Sequence, residues 1–224
     1  EYELSLALRK KVALFCNVDP AAVIQSIDVP SIYEVPLKMH QQHLDEIVLT
    51  KTGLPINGEP HLEPWLNFLH RMKNATKTVR IGLVGKYVEL PDAYKSINES
   101  LFQAATYNDR KLDLQYIHSE KLNSGNVDAM LSSLDGVLIA PGFGQRGIEG
   151  KFIALKYARE HDIPTFGVCL GMQCMVIEYA RDVLGYTDAN STEMDVTTKH
   201  NVIDLMEEQK LLLVSISQYM KIIL

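Results

Sequence analysis

The sequence predicts an α/β fold: an open, mostly parallel sheet with helices on both faces, preceded by a small partial domain and a linker. From residue 78 onward, short continuous apolar segments alternate with segments whose apolar residues recur at helical spacing. Short continuous apolar segments are typical of parallel strands, which are buried on both faces. Two glycine-rich turns directly follow predicted strands, at the carboxyl ends where such sheets bind ligands.

The predicted elements alternate regularly along this part of the chain. Strands are expected at residues 79–85, 112–117, 136–140 and 163–168. Helices are expected at residues 94–107, 128–134, 149–161 and 172–184. On the third helix the expected buried side consists of Ile148, Phe152, Leu155 and Ala158, and on the fourth of Met172, Met175, Val176, Tyr179 and Val183. Helices that connect consecutive strands in this way favour a parallel sheet.

The N-terminal third has a less regular pattern. Residues 12–16 form a short apolar run, which predicts a buried strand or the end of a helix. Residues 64–72 form a short amphipathic segment between loops that are rich in Pro and Gly. This pattern indicates the end of one domain over residues 1–56 and a linker over residues 57–77, followed by the regular domain over residues 78–210.

Composition and charge exclude several function classes. The 224 residues carry a formal net charge of −6 and no run of Lys or Arg, which argues against a nucleic-acid surface. No apolar stretch reaches the roughly 20 residues that span a bilayer, and no segment resembles a signal peptide. Three unevenly placed cysteines do not form a disulfide framework. We therefore expect a cytoplasmic location, no nucleic-acid or membrane partner, and at least one reactive thiol.

The motif Gly-x-Cys-x-Gly at residues 167–171 (GVCLG) lies where a strand meets a helix. Its serine counterpart is the nucleophile elbow, a strained turn that raises the nucleophile above the sheet and needs small neighbours. The helix that follows favours a thiolate at Cys169 and supplies backbone N–H groups for an oxyanion. The alternative is that Cys169 is a buried core cysteine, which is the interpretation that we prefer for Cys16 and Cys174.

A second glycine-rich turn, residues 140–147 (APGFGQRG), follows the third predicted strand. Placed there, it can direct a backbone N–H at the oxygen of an intermediate held by Cys169. A phosphate-binding loop has the pattern Gly-x-x-x-x-Gly-Lys followed by Ser or Thr. It is excluded because Gln145 stands where the first glycine is needed and Phe152 where the Ser or Thr is needed. An ordinary surface turn is the remaining alternative.

Several segments together resemble the CTP synthase family. The segments similar to its glutaminase domain, a class I glutamine amidotransferase, are residues 84–87 (VGKY), 92–98 (DAYKSIN), 141–151 (PGFGQRGIEGK), 167–173 (GVCLGMQ) and 189–193 (ANSTE). The segments similar to the end of its synthetase domain are residues 11–18 (KVALFCNV) and 28–33 (DVPSIY). The resemblance covers nearly the whole chain and identifies residues 1–56 as the end of the synthetase domain.

The resemblance implies an enzyme that makes CTP from UTP, ATP and glutamine, with Cys169 forming a glutamyl thioester. The implied glutamine-binding residues are Gly142, Leu170, Gly171, Met172, Gln173 and Glu193, with Gly142 and Leu170 at the oxyanion and with Gln173 and Glu193 at the polar end of glutamine. The implied nucleotide-binding residues are Lys11 for the UTP or CTP phosphates, and Asp28 and Val29 near the ATP base. ATP and Mg²⁺ are the nucleotide and ion of the parent enzyme, a homotetramer, and we expect no cofactor or metal on this segment.

Three departures from the family pattern limit this interpretation. The family's Pro-Gly-Gly-Phe-Gly is APGFG here, so Pro141 replaces a glycine. The family's catalytic His-x-Glu segment is absent, and His200 aligns with a loop position instead. Residues 211–224 form an atypical tail. We therefore expect a segment of an active parent enzyme that has little glutaminase activity by itself. Two alternatives stay open: a binding or regulatory module that has lost catalysis, and another enzyme with a cysteine elbow.

Overall fold

The computed structural model describes residues 2–204 and Met206. The chain divides into two units, Glu1–Asn74 and Ala75–Leu224. No helix in the described ranges is long and apolar enough to cross a membrane. The predicted tail at residues 211–224 lies outside the described residues.

The first unit is helical in its described part. Its helices are α1 (Leu6–Cys16), α2 (Val35–His40), α3 (Leu44–Thr52) and α4 (Glu63–Asn74), so the predicted linker is largely helical. An aromatic cluster ties α4 to the turn before α2: the ring of Phe68 lies 5.2 Å from that of Tyr33, and Trp65 donates to the carbonyl of Tyr33 at 2.9 Å.

The apolar run at residues 12–16 is the end of α1, as one of its two predicted forms. The other predicted form, a buried strand, is wrong: the run is helical, and only Ala13 is buried whereas Leu14 and Phe15 are both 80% exposed. Cys16 is exposed as well, which corrects its assignment to core packing. Apolar character alone therefore did not show which side of α1 is covered within the unit.

The second unit contains the predicted parallel sheet. Its strands are β1 (Lys77–Gly85), β2 (Arg110–His118), β3 (Gly136–Ile139) and β4 (Thr165–Gly167), in the order β2-β1-β3-β4 with every pair parallel. The first half of β1 is more exposed than the sequence predicted, because β3 pairs with β1 only between Ile81 and Val84. A separate pair of short strands, β5 (Asn190–Ser191) and β6 (Asn201–Ile203), follows the sheet in sequence.

Helices cover both faces of the sheet, as predicted. They are α5 (Lys95–Tyr107), α6 (Val127–Leu131), α7 (Ile148–Glu160) and α8 (Leu170–Asp182). Successive strand residues enter different cores: Val84 and Ile139 pack with residues of α6, α7 and α8, whereas Leu83 and Leu138 pack with residues of α5. This alternation follows from the two-residue period of a strand. The buried side predicted for α7 is confirmed.

The buried side predicted for α8 is wrong at four of its five positions, whereas Met175 packs, partly buried, against the core. Met172, Val176, Tyr179 and Val183 are between 43% and 52% exposed. The helix instead buries Leu170, Gly171, Cys174, Ile177, Glu178 and Ala180. The apolar residues extend around most of α8, and the side that faces the core contains a carboxylate.

A salt bridge between neighbouring helices explains that carboxylate. The Glu178 side chain is 4% exposed and accepts hydrogen bonds from Arg159 of α7 at 2.7 Å and 3.1 Å. A hydrophobicity pattern assigns a charged residue such as Glu178 to the solvent-facing side of a helix. Glu178 can be buried because the guanidinium group of Arg159 donates hydrogen bonds to both of its carboxylate oxygens. The pair joins α7 to α8, the helix that begins directly after Cys169.

We predict that Glu178→Ala destabilises the second unit by about 2–3 kcal/mol, below the range for fully buried pairs because Arg159 is partly exposed and regains water. The matched control is Glu160→Ala, which removes an exposed carboxylate 3.8 Å from the same guanidinium and should cost under about 1 kcal/mol. Urea unfolding followed by far-UV circular dichroism measures both. Equal losses in the two variants would contradict a structural role for the Glu178 pair.

Candidate active site

Cys169 connects β4 to α8 in a strained conformation. Its φ is 51° and its ψ is −112°, a region that side-chain-bearing residues rarely adopt. α8 begins at the next residue, Leu170. Cys169 is classed as exposed, so the thiol is not the buried core cysteine of the alternative interpretation. A strained, accessible nucleophile between a strand and a helix is the geometry of a nucleophile elbow.

Both glycines of the elbow are required by close backbone contacts. A Cβ on Gly167 would lie 2.5 Å from the backbone nitrogen of Met172, and a Cβ on Gly171 would lie 2.1 Å from the carbonyl oxygen of Ile139. Real Cβ atoms do not approach backbone atoms so closely, and a backbone cannot turn aside as a long side chain can. The Gly-x-Cys-x-Gly spacing therefore has a structural reason at both positions.

The elbow places donors and a favourable field at the sulfur. Leu170 is the first residue of α8, and its N–H has no partner within the helix. α8 has 13 residues, and its positive end begins beside Cys169. This end favours negative charge on the sulfur and on an oxygen bound next to it.

The second glycine-rich turn follows β3, which lies next to β4 in the sheet. Gly142 packs between two neighbours of the elbow: a Cβ placed on it would lie 3.8 Å from Cδ2 of Leu170 and 3.5 Å from Cε of Lys86. The N–H of Ala140 donates to the carbonyl of Val84 at 2.9 Å and Pro141 has no N–H, so the next amide donor of this turn belongs to Gly142. The predicted oxyanion-side residue thus lies beside the residue that follows the nucleophile.

The segment at residues 189–193 is held against this turn. The side-chain amide of Gln145 donates to the carbonyl of Met194 at 2.7 Å, which links the two loops. Glu193 is exposed, and its carboxylate makes no ion pair with any residue in the described ranges. Gln173 lies in the first turn of α8, and its Oε1 atom is buried without a hydrogen-bond partner among the described residues. Such an atom needs a donor from a ligand or from elsewhere in the chain.

The remaining predicted glutamine-binding residues belong to the same first turn of α8. Gly171 is buried against β3, whereas Met172 is 52% exposed. The proposed roles of these residues stay predictions.

The predicted nucleotide-binding residues all lie in the first unit. Lys11 is exposed on α1, and Asp28 and Val29 lie in the extended segment between two short 3₁₀ turns. A small cavity of this unit is lined by residues that include Arg9, Gln25 and Lys38, but by none of these three. Their assignment therefore rests on the sequence resemblance.

The histidines of the second unit have partners other than Cys169. His118 ends β2, which is three strand spacings from β4, or roughly 14 Å. His161 follows α7 near the amino end of β4, where it stacks on Tyr157. His200 pairs with Asp188 at 2.5 Å and stacks on Tyr186.

Cys174 belongs to the core, as predicted. It is fully buried in α8, and burial raises the pKa of its thiol to about 11, although the nearby ammonium of Lys151 acts in the opposite direction. A thiol that holds its proton so strongly is inert at neutral pH.

Three polar residues around the site were not recognised from the sequence: Lys86, Gln145 and Lys151. Lys151 is 1% exposed and Lys86 is 8% exposed. A signal existed for Lys151, because it lies three residues after Ile148 on the buried side of α7. No pattern marked Lys86 or Gln145, whose partners are backbone carbonyls of other segments.

Comparison with known families matches both parts of the chain. The profile described as glutamine amidotransferase class-I matches residues 89–219, more than half of the chain. The profile described as CTP synthase N-terminus matches residues 1–54.

Curated relatives are similar over 94% of this chain, each of them named CTP synthase. That of Bacteroides fragilis strain YCH46 is 67% identical over 210 residues, that of Porphyromonas gingivalis strain W83 is 62% identical, and that of Flavobacterium johnsoniae is 57% identical. The chain spans 39% of the length of each of these relatives. A solved structure, the Trypanosoma brucei CTPS glutaminase domain with bound acivicin, is similar with a TM-score of 0.54 and 41% identity, over 58% of this chain and 51% of that one.

We predict that iodoacetamide at pH 8 modifies Cys169 in the folded chain well before Cys174. With a pKa of about 11, roughly one Cys174 thiol in a thousand is ionised at that pH. The raised pKa means that the folded state retains the proton, so this protection weakens only as the pH rises towards 11. Peptide mass spectrometry measures each site, and unfolding in urea should make Cys174 as reactive as the exposed Cys16. Rapid modification of Cys174 in the folded chain would contradict its buried position.

Proposed function

Because the chain belongs to the class I glutamine amidotransferase family, we propose that Cys169 is the nucleophile that releases ammonia from glutamine. The observation that carries this proposal is the elbow: an exposed cysteine at φ 51°, fixed by Gly167 and Gly171 at the start of a helix. Strain at a non-glycine residue persists only where the surrounding structure enforces it, and such positions cluster at active sites.

In this mechanism the Cys169 thiolate attacks the carboxamide carbon of glutamine, and the carbonyl oxygen becomes an oxyanion. The N–H groups of Leu170 and Gly142 are the donors that we assign to that oxygen. Collapse of the intermediate breaks the C–N bond, and the nitrogen takes a proton and leaves as ammonia. Water then hydrolyses the thioester to glutamate and restores the thiol. The proton carrier is not assigned to any histidine in the described part of the chain.

We assign the polar end of glutamine to Gln173 and Glu193. The unpaired Oε1 of Gln173 accepts a hydrogen bond, and the carboxylate of Glu193 suits the α-ammonium group by charge. The contact between Gln145 and Met194 supports this placement, because it holds the loop that carries Glu193 beside the turn that carries Gly142. Gly171 and Met172 complete the implied glutamine-binding set.

For the whole protein we propose glutamine-dependent CTP synthesis, in which ATP activates UTP and ammonia from this domain aminates it. This proposal is supported by relatives named CTP synthase at up to 67% identity and by the match of residues 1–54 to the N-terminus of that enzyme. Under this proposal Lys11 contacts the UTP or CTP phosphates, and Asp28 and Val29 lie near the ATP base. The proposal includes Mg²⁺ as the ion bound with ATP and a homotetrameric enzyme. The enzyme would act in pyrimidine nucleotide synthesis, in the cytoplasm.

We predict that acivicin, the compound bound in the Trypanosoma brucei structure, modifies Cys169 of this chain and that glutamine protects against it. Glu193→Gln should raise the acivicin concentration needed for the half-maximal rate of modification by about 10- to 100-fold, because the substitution removes one charge-assisted hydrogen bond. Intact-protein and peptide mass spectrometry measure the rate and the site.

The control is Glu160→Gln, which neutralises an exposed carboxylate at the far end of α7 and should leave the rate unchanged. Cys16 provides an internal control, because it is exposed but has no elbow. Modification of Cys169 no faster than Cys16, with no protection by glutamine, would favour a binding or regulatory module instead.

In the full-length enzyme we predict that Cys169→Ala abolishes glutamine-dependent CTP formation, by more than about 1,000-fold, and leaves ammonia-dependent formation intact. The reason is that external ammonia bypasses the thioester. Cys16→Ala is the control and should retain both activities. Loss of both activities in Cys169→Ala would mean that Cys169 is structural, and neither activity in the unmodified enzyme would overturn the proposed function.

A further inference from the structure

Two buried lysines flank the turn that carries Gly142. Lys86 follows the end of β1 and is 8% exposed, and Lys151 lies in the first turn of α7 and is 1% exposed. Lysine is almost never fully buried unless its ammonium group is paired. Their burial beside the candidate site therefore needs an explanation.

Neither ammonium group pairs with a carboxylate in the described ranges. Nζ of Lys151 donates to the carbonyl of Ala140 at 2.7 Å, and Nζ of Lys86 donates to the carbonyl of Phe143. These two carbonyls are the first and last of the four-residue segment 140–143. The two lysines thus hold the same turn, one at each end.

This arrangement is costly for a structural contact. Burial lowers the pKa of Lys151, and the positive charge of Lys86 lowers it further. Two like charges near one apolar site are tolerated only where other interactions compensate.

A clamp on these carbonyls restricts the peptide group that lies between them. Each peptide group is planar, so holding the Ala140 and Phe143 carbonyls fixes one plane before and one plane after the Pro141–Gly142 peptide, and the ring of Pro141 fixes its φ. The N–H of Ala140 donates to the carbonyl of Val84 at 2.9 Å and Pro141 has none, so the Gly142 N–H is the first donor of the turn that can face a ligand. Gly142 has no side chain that could anchor it, and the atoms nearest to a Cβ placed there belong to Lys86, at 3.5 Å, and to Leu170, at 3.8 Å.

We propose that Lys151 and Lys86 are positioning residues that clamp the turn at residues 140–143 and aim the Gly142 N–H at the oxyanion formed at Cys169. This inference rests on the proposed function, because it concerns the same site. The alternative roles are a purely structural one and a direct effect of the ammonium charge on the thiolate.

The experiment compares two reagents on this chain. A chloroketone analogue of glutamine presents a carbonyl oxygen to the oxyanion donors before the sulfur displaces chloride, whereas iodoacetamide reports only on access to the Cys169 thiolate and its charge. We expect Lys151→Met to slow modification by the chloroketone by about 10- to 100-fold, because a misplacement of about 1 Å has an effect of this size. The iodoacetamide rate should stay within about twofold of that of the unmodified chain.

A second variant and a matched control make the result independent of folding. Lys86→Met should slow the chloroketone selectively as well, and the double variant should be about as slow as the slower single variant, because both lysines hold one turn. Lys156→Met is the control: Lys156 lies on the same helix as Lys151 but is paired with Asp182 near the surface, and both reagents should react as before.

The outcomes separate the possibilities. Selective slowing by both substitutions supports the clamp. Equal slowing with both reagents overturns it in favour of an effect on the thiolate or on the fold, and unchanged rates overturn it in favour of a structural role. If Cys169 of the chain without substitutions reacts with the chloroketone no faster than Cys16 does, the proposed glutamine site is overturned, and the clamp is overturned with it.

Discussion

The second unit depends on the close approach of α8 to β3 at Gly171. The carbonyl oxygen of Ile139, which a Cβ on Gly171 would reach at 2.1 Å, belongs to a strand that is paired on both sides. That strand cannot move aside without disturbing the ladders to β1 and β4. α8 must therefore begin directly against the sheet, and the chain must turn within two or three residues of the end of β4. The positive φ of Cys169 is the consequence of that short turn.

Strain of this kind costs roughly 1–3 kcal/mol and needs support from the surrounding structure. Part of that support is the pair between Arg159 and Glu178, which joins α8 to α7 beyond the elbow. α7 in turn carries Lys151, which holds the glycine-rich turn. Cys169, the helix α8 that follows it and the glycine-rich turn that carries Gly142 are thus connected through one neighbouring helix, α7. A change at any of these contacts will act on the geometry of the site even though none of them touches the sulfur.

The parts of the structure that the sequence predicted are those set by local pattern. The apolar strand segments, the buried side of α7 and the glycine spacing around Cys169 are each recognised from residues within a few positions of one another, even though the contact that requires Gly171 is with Ile139 of another element. The errors arose where a partner was distant. Glu178 faces the core because Arg159 lies on another helix, and no hydrophobic period contains that information. Lys86 was missed for the same reason, since its hydrogen-bond acceptor is a backbone carbonyl of another segment. Lys151 was missed although its position on the buried side of α7 was a signal.

Cys169 and Cys174 share a residue type but differ in their position relative to the sheet, and that position sets the surroundings of each thiol. Cys169 directly precedes α8, Cys174 lies in the second turn of that helix, and Lys151 is near both. For Cys174 burial outweighs the attraction of the Lys151 ammonium, and its pKa rises to about 11. A nearby buried ammonium is therefore not sufficient to create a nucleophile here. What distinguishes Cys169 is exposure together with its place at the positive end of α8, and both follow from the contact that Gly171 permits.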